Sequence, residues 1–208
     1  KSEKSILEHS LNCTKFLLSK NVKCIIIACN TASAIAYKQI KKITKIPVFD
    51  VITPCVEEVI KLKKKNIAIL GTQKTIESKV YTNLIKKDRK NVITYNIACP
   101  LFVSIVEEGL ENTHISQEII KYYLNPIANE KIDQIILGCT HYPILYNDLN
   151  IFFNYKVNIL HSGPGLIKKL KKYFHSTENK QTIKYYVTDL PKRFKENGNK
   201  FLNQKIDY

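Results

Sequence analysis

Six short apolar runs rich in β-branched residues, set between stretches of helical periodicity, constrain this chain more than any other feature. The runs occupy 22–28, 47–52, 66–70, 92–97, 132–137 and 156–160; helical spacing covers 3–20, 31–44, 54–64, 75–87, 115–125, 143–153 and 164–174. Runs this short and this apolar are the pattern of strands buried on both faces. Strands alternating with helices predict an α/β fold with mostly parallel sheets, since a parallel pair needs a crossover long enough to hold a helix. The closing stretch, DLPKRFKENGNKFLNQK, predicts one more amphipathic helix, starting at Asp189 and Pro191.

One unit of this pattern occurs twice. Ile25-Ile26-Ile27-Ala28-Cys29-Asn30-Thr31 aligns without a gap on Ile135-Ile136-Leu137-Gly138-Cys139-Thr140-His141: apolar strand, small residue, thiol, two polar residues, then a helix. The duplication predicts two pseudo-symmetric three-layer α/β domains with the active site between them. The expected boundaries assign 1–62 and 163–208 to the first domain and 63–162 to the second.

In an open parallel sheet the ligand crevice lies at the C-terminal strand ends, where both thiols fall. Each also precedes a helix N-terminus, whose unpaired N–H groups and positive dipole end can hold a carboxylate and favour a thiolate. Asn30, Thr31 and Thr140 add side-chain donors, with Thr31 or Thr140 available as an N-cap; His141 can exchange a proton with Cys139. Two thiols facing one small anion point to proton transfer at carbon, one thiol deprotonated and the other protonated. No Gly-rich dinucleotide fingerprint or P-loop occurs, so no cofactor is expected.

The bland reading stands beside each candidate. A single cysteine after a strand is more often packing than chemistry, and it is the duplicated setting that favours function for Cys29 and Cys139. Cys13, Cys24 and Cys99 are expected to pack, while Cys55, after Pro54, is open between the two readings. Thr72 and Thr75 in GTQKTIES are capping or anion-binding hydroxyls, with Thr72 an equal candidate for substrate contact. Glu107 and Glu108 read as a helix end before Gly109, although one carboxylate near a thiol would tune it.

Composition narrows the class. In 208 residues, 44% are hydrophobic and 25% charged, ordinary for a soluble globular chain. No apolar stretch approaches the roughly 18 residues of a membrane span, and KSEKSILEHS is not a signal peptide, so a cytoplasmic protein is expected without membrane partners. The net charge of +15 raises the question of nucleic acid, but only Arg89 and Arg193 among 33 basic residues are arginine, so solvated lysines are the expected explanation. The six cysteines form no CxxC pair and no zinc-like spacing with histidine, so no metal is expected.

ACNTASA and GCTHYP closely resemble the signature motifs of glutamate racemases in the aspartate/glutamate racemase family, and the likeness extends through NIAILGTQKTIES, ACPLFVSIVEEG and YYVTDLPKRFKENGNKFL. The resemblance implies cofactor-independent interconversion of L- and D-glutamate, supplying D-glutamate for peptidoglycan. Cys29 would take the proton from the D-enantiomer and Cys139 from the L-enantiomer. Asn30, Thr31, Thr72, Thr140 and His141 would contact substrate, His141 would assist Cys139, and Glu107 would assist catalysis. A homodimer is the expected assembly. The chain contains no methionine and opens on Lys1, so its natural start is expected upstream, where the family carries an Asp-Ser-Gly strand, with the acid that partners the first cysteine, and a Pro-Tyr-Gly turn. Family members also have Pro-Gly where this chain has Pro54-Cys55, and Asp-Ser-Gly where it has His161-Ser162-Gly163. The competing readings are a racemase of aspartate or another small acid, and a truncated inactive remnant that only binds.

Overall fold

Each predicted strand forms, with ends shifted by up to three residues. The structure, a computed structural model, describes residues 1–174 and 182–202. Helix α1 (Glu3–Leu18) starts at Ser2, whose hydroxyl accepts from Ser5 N, with Glu3 in the first turn. Strand β1 (Ile25–Ile27), helix α2 (Asn30–Ile43) and strand β2 (Val48–Asp50) follow, and α2 is the crossover that lets β1 and β2 pair in parallel. Ile25, Ile27, Ala36 and Ile40 close a small core here, with Leu7 and Leu11 of α1 packed on it.

The remaining strands build one sheet. They are β3 (Asn66–Gly71), β4 (Ile93–Ala98), β5 (Gln134–Gly138) and β6 (Asn158–His161), ordered β4-β3-β5-β6 and parallel throughout. Every residue of β5 is buried, as expected of a central strand covered on both faces. Alternate side chains leave opposite faces of a strand, and here the two sets enter different cores. Ala68, Leu70, Ile135 and Leu137 pack with α6 (Leu101–Glu108), α7 (His114–Leu124) and α8 (Tyr146–Phe152). Ile67, Ile69 and Ile136 pack with α3 (Ile52–Leu62) and α5 (Val80–Asp88). Helices on both faces of a parallel sheet give this half its three layers, in accord with the fold class expected from the alternation.

Two predicted helices differ locally. The stretch 75–87 divides into α4 (Gln73–Glu77) and α5, because Ser78 Oγ donates to Thr75 O (2.7 Å) and accepts from Val80 N (3.3 Å), and Lys79 takes a left-handed φ of 52°. A serine that offers the backbone its own bonds interrupts a helix at that point. The stretch 143–153 opens as a 3₁₀ turn, Tyr142–Leu145, with Pro143 in its first positions, before α8 begins. Helix α6 ends at Gly109, φ 73°, the left-handed cap that glycine takes at least cost.

Helix α9 (Ser162–Tyr173) completes a compact unit spanning Lys1–Tyr173. A second unit follows it, whose described part contains α10 (Pro191–Leu202), with proline at its first position and the Tyr185 and Phe194 rings 6.0 Å apart. Among the described residues no helix is long and apolar enough to cross a membrane.

Candidate active site

The first thiol is delivered by the turn from β1 into α2. Ser33 secures that turn: its N–H donates to Cys29 O (2.8 Å) and its hydroxyl to Ile27 O (3.0 Å). Cys29 therefore occupies the N-cap position with extended backbone, its side chain making no capping bond, and it is exposed. An uncommitted thiol sits where the N–H groups of the first helical turn point outward. The expectation that Thr31 or Thr140 serves as N-cap is corrected: the helix starts at Asn30, so the cap is Cys29, while His141 takes the equivalent place before the 3₁₀ turn.

Thr31 is engaged elsewhere. Its hydroxyl shares hydrogen bonds with Thr72 (2.8 Å) and Thr75 (3.2 Å), which are themselves 3.0 Å apart. Thr72 also caps α4, accepting from Thr75 N at 3.4 Å. This triangle of hydroxyls joins the helix after β1 to the turn after β3. Register does the rest: Gly71 pairs with Gly138, so Thr72 and Cys139 leave the sheet level with one another.

The second thiol sits differently. Cys139 is 7% exposed and leads into a 3₁₀ turn, with Tyr142 N donating to Cys139 O at 3.3 Å. Burial pushes its thiol up to about 11; the N–H groups of His141, Tyr142 and Thr140 pull the other way, and negative charge on Cys29 adds to the rise. Tyr142 anchors the loop onto α6, its hydroxyl donating to Cys99 O (2.8 Å) and its ring meeting Phe102 edge-on at 5.1 Å. The anchoring presents His141 to both neighbours: Nδ1 lies 4.0 Å from Cys139 Sγ and Nε2 lies 3.5 Å from Glu107 Oε1, in the last turn of α6.

Asn30 is buried, and its amide oxygen accepts from the Tyr81 hydroxyl at 2.6 Å. Tyr81 went unrecognised in the sequence, because an apolar-facing tyrosine in a helix carries no signal that its hydroxyl reaches another motif. Thr140 is exposed, and its side chain makes no hydrogen bond among the described residues. The other cysteines are elsewhere. Cys55 and Cys99 are packed in the two cores of the larger sheet, where burial pushes Cys55 up to about 12 and Cys99 higher still. Cys55 lines a cavity of about 400 Å³ with Glu58, Tyr146 and His161, a cavity that neither candidate thiol lines. Among the described residues no cluster of three or more His, Cys, Asp or Glu side chains is placed to hold a metal ion.

The structure thus brings Cys29, Asn30, Thr31 and Thr72 together on one side and Cys139, His141 and Glu107 on the other. Two thiols, one exposed at a helix N-terminus and one buried with a histidine beside it, can hold a carbon acid between a base and a proton donor.

The model of the Asp/Glu/Hydantoin racemase family matches residues 3–169. The glutamate racemase of Aquifex aeolicus is 40% identical over 190 residues, 91% of this chain and 73% of that protein. That of Hydrogenobaculum sp. is 37% identical over 209 residues, 100% of this chain and 79% of that protein. Among solved structures, glutamate racemase from Francisella tularensis in complex with D-glutamate superposes with a TM-score of 0.90 at 36% identity, covering 100% of this chain and 80% of that one. Likeness of this extent leaves one placement: the chain belongs to the Asp/Glu/Hydantoin racemase family, among its glutamate racemases.

Proposed function

We propose that this chain interconverts L- and D-glutamate by two-base proton transfer between Cys29 and Cys139, without a cofactor. The observation that carries the reading is the pair of thiols, each just past the end of a parallel strand and ahead of a helical turn, with the His141 ring beside the second. In the D-to-L direction Cys29, as thiolate, takes the Cα proton; the electron pair left on carbon is delocalised into the carboxylate, and the Cys139 thiol returns a proton to the opposite face. The L-to-D direction reverses the roles. Cys139 must then enter as thiolate despite its burial, and the three N–H groups, with His141 backed by Glu107, are what offset that cost. Asn30, Thr31, Thr72, Thr140 and His141 contact the substrate's polar groups, and the helix N-terminus at Cys29 adds donors for a carboxylate. The D-glutamate formed supplies peptidoglycan in the cytoplasm, and the working assembly is a homodimer.

The test is incubation with L-glutamate, and separately with L-aspartate, in D2O, following optical rotation and the mass of each recovered enantiomer. Glutamate loses its rotation, and the D-product carries one deuterium at Cα while recovered L-glutamate retains hydrogen early in the reaction. Protium retained in the product overturns the two-base mechanism; rotation lost only with aspartate overturns the substrate.

A further inference from the structure

Tyr81 is among the largest fully buried side chains, yet it lies in α5, outside both cysteine motifs. Its ring rests against the strand end that carries Cys139: a Cβ on Gly138 would meet Tyr81 Cε2 at 3.2 Å. Its hydroxyl reaches the other motif, donating to Asn30 Oδ1 at 2.6 Å. One side chain therefore touches the residue before one thiol and the residue after the other.

An amide offers an acceptor on one arm and two donors on the other, and nothing in its shape says which arm faces which way. Among the described residues Tyr81 is the one hydrogen-bond partner of the Asn30 side chain, which is 2% exposed. Burial holds the Tyr81 phenol well above its ordinary range, so it stays a donor at working pH. With the phenol donating to Oδ1, both amide N–H groups are left uncommitted. Turned the other way, the same amide would set its oxygen against an anionic substrate.

We propose that Tyr81 is a positioning residue for the reaction: its hydroxyl locks the Asn30 amide so that the NH2 group is offered to a substrate carboxylate, while its ring spaces Asn30 from the strand end bearing Cys139. This rests on the reading above that Asn30 contacts glutamate. Tyr81→Phe keeps the ring against Gly138 and removes the hydroxyl, which donates to Asn30 and also meets the Ser162 side chain. KM for both enantiomers rises about three- to tenfold, the worth of one neutral hydrogen bond, with kcat within about twofold of wild type. In an Asn30→Ala background the same substitution leaves substrate affinity unaltered, read as KM or as Kd by calorimetry, because the hydroxyl acts through the amide. An unchanged KM in Tyr81→Phe, an equal loss of affinity in the Asn30→Ala background, or a Tyr81→Phe chain that fails to fold overturns the proposal. Wild type in the same assay separates the two claims: inactivity toward glutamate overturns both, whereas normal wild-type turnover beside an unaffected Tyr81→Phe overturns this one alone.

Discussion

Cys29 and Cys139 close matching strands, yet they meet opposite surroundings. Cys29 is exposed at the N-cap of a 14-residue helix. At Cys139 burial outweighs the local N–H groups, leaving the thiol at about 11. A site that needs one protonated thiol fails once both ionise, so kcat/KM falls as pH rises through about 11. L- and D-glutamate are equal in free energy, which forces the same alkaline limb in both directions; pH profiles of kcat/KM from each enantiomer check it. His141→Asn lowers kcat/KM by about tenfold to a hundredfold in both directions, at or below the lower end of what a general acid–base group contributes because His141 assists Cys139 rather than moving the Cα proton, and Glu107→Gln by less, both read from initial rates. The duplicated motif made both thiols legible in the sequence. It could not distinguish them, because the burial of Cys139 comes from Tyr142 and α6, which the chain brings together only on folding.

Among elements, the close approach at Gly138 matters most. A side chain there would come within 2.9 Å of Leu70 O and 3.2 Å of the Tyr81 ring. Gly138→Ala is therefore expected to cost about 1–3 kcal/mol, as overpacking does, measured from urea unfolding. Strands β3 and β5 were legible because their side chains are apolar on both faces, as the two cores around them require. The break at Ser78 was not, since a serine inside a helical pattern interrupts it only when its hydroxyl finds Thr75 O and Val80 N. Asp50 is a similar case: its carboxylate accepts from Ile52 N (2.8 Å) and Thr53 N (2.7 Å) at the start of α3. Asp50→Ala should cost about 0.5–2 kcal/mol by the same assay, the worth of a helix cap.

Across the molecule, the candidate site is assembled by contacts between distant segments: the hydroxyls of Thr31, Thr72 and Thr75, and the Tyr81 bond to Asn30. The sequence named most of these residues but not how they meet, since register and side-chain reach are properties of the fold. The buried thiols also make stability depend on pH. Burial raises Cys55 from the ordinary 9.0 to about 12, so the unfolded chain loses this proton first; the contribution is complete below about 9 and is lost as pH rises toward 12. Urea midpoints should fall across that alkaline range, and Cys55→Ala should flatten the decline while lowering the neutral-pH midpoint through the cavity it leaves. The central claim is that two thiols share one proton transfer, and racemisation of L-glutamate by Cys29→Ser and by Cys139→Ser, each checked for wild-type thermal unfolding, tests it most directly. The account predicts that each folded variant loses at least about a hundredfold in turnover, the least that removing one general acid–base partner should cost; near-normal racemisation by either folded variant would contradict it.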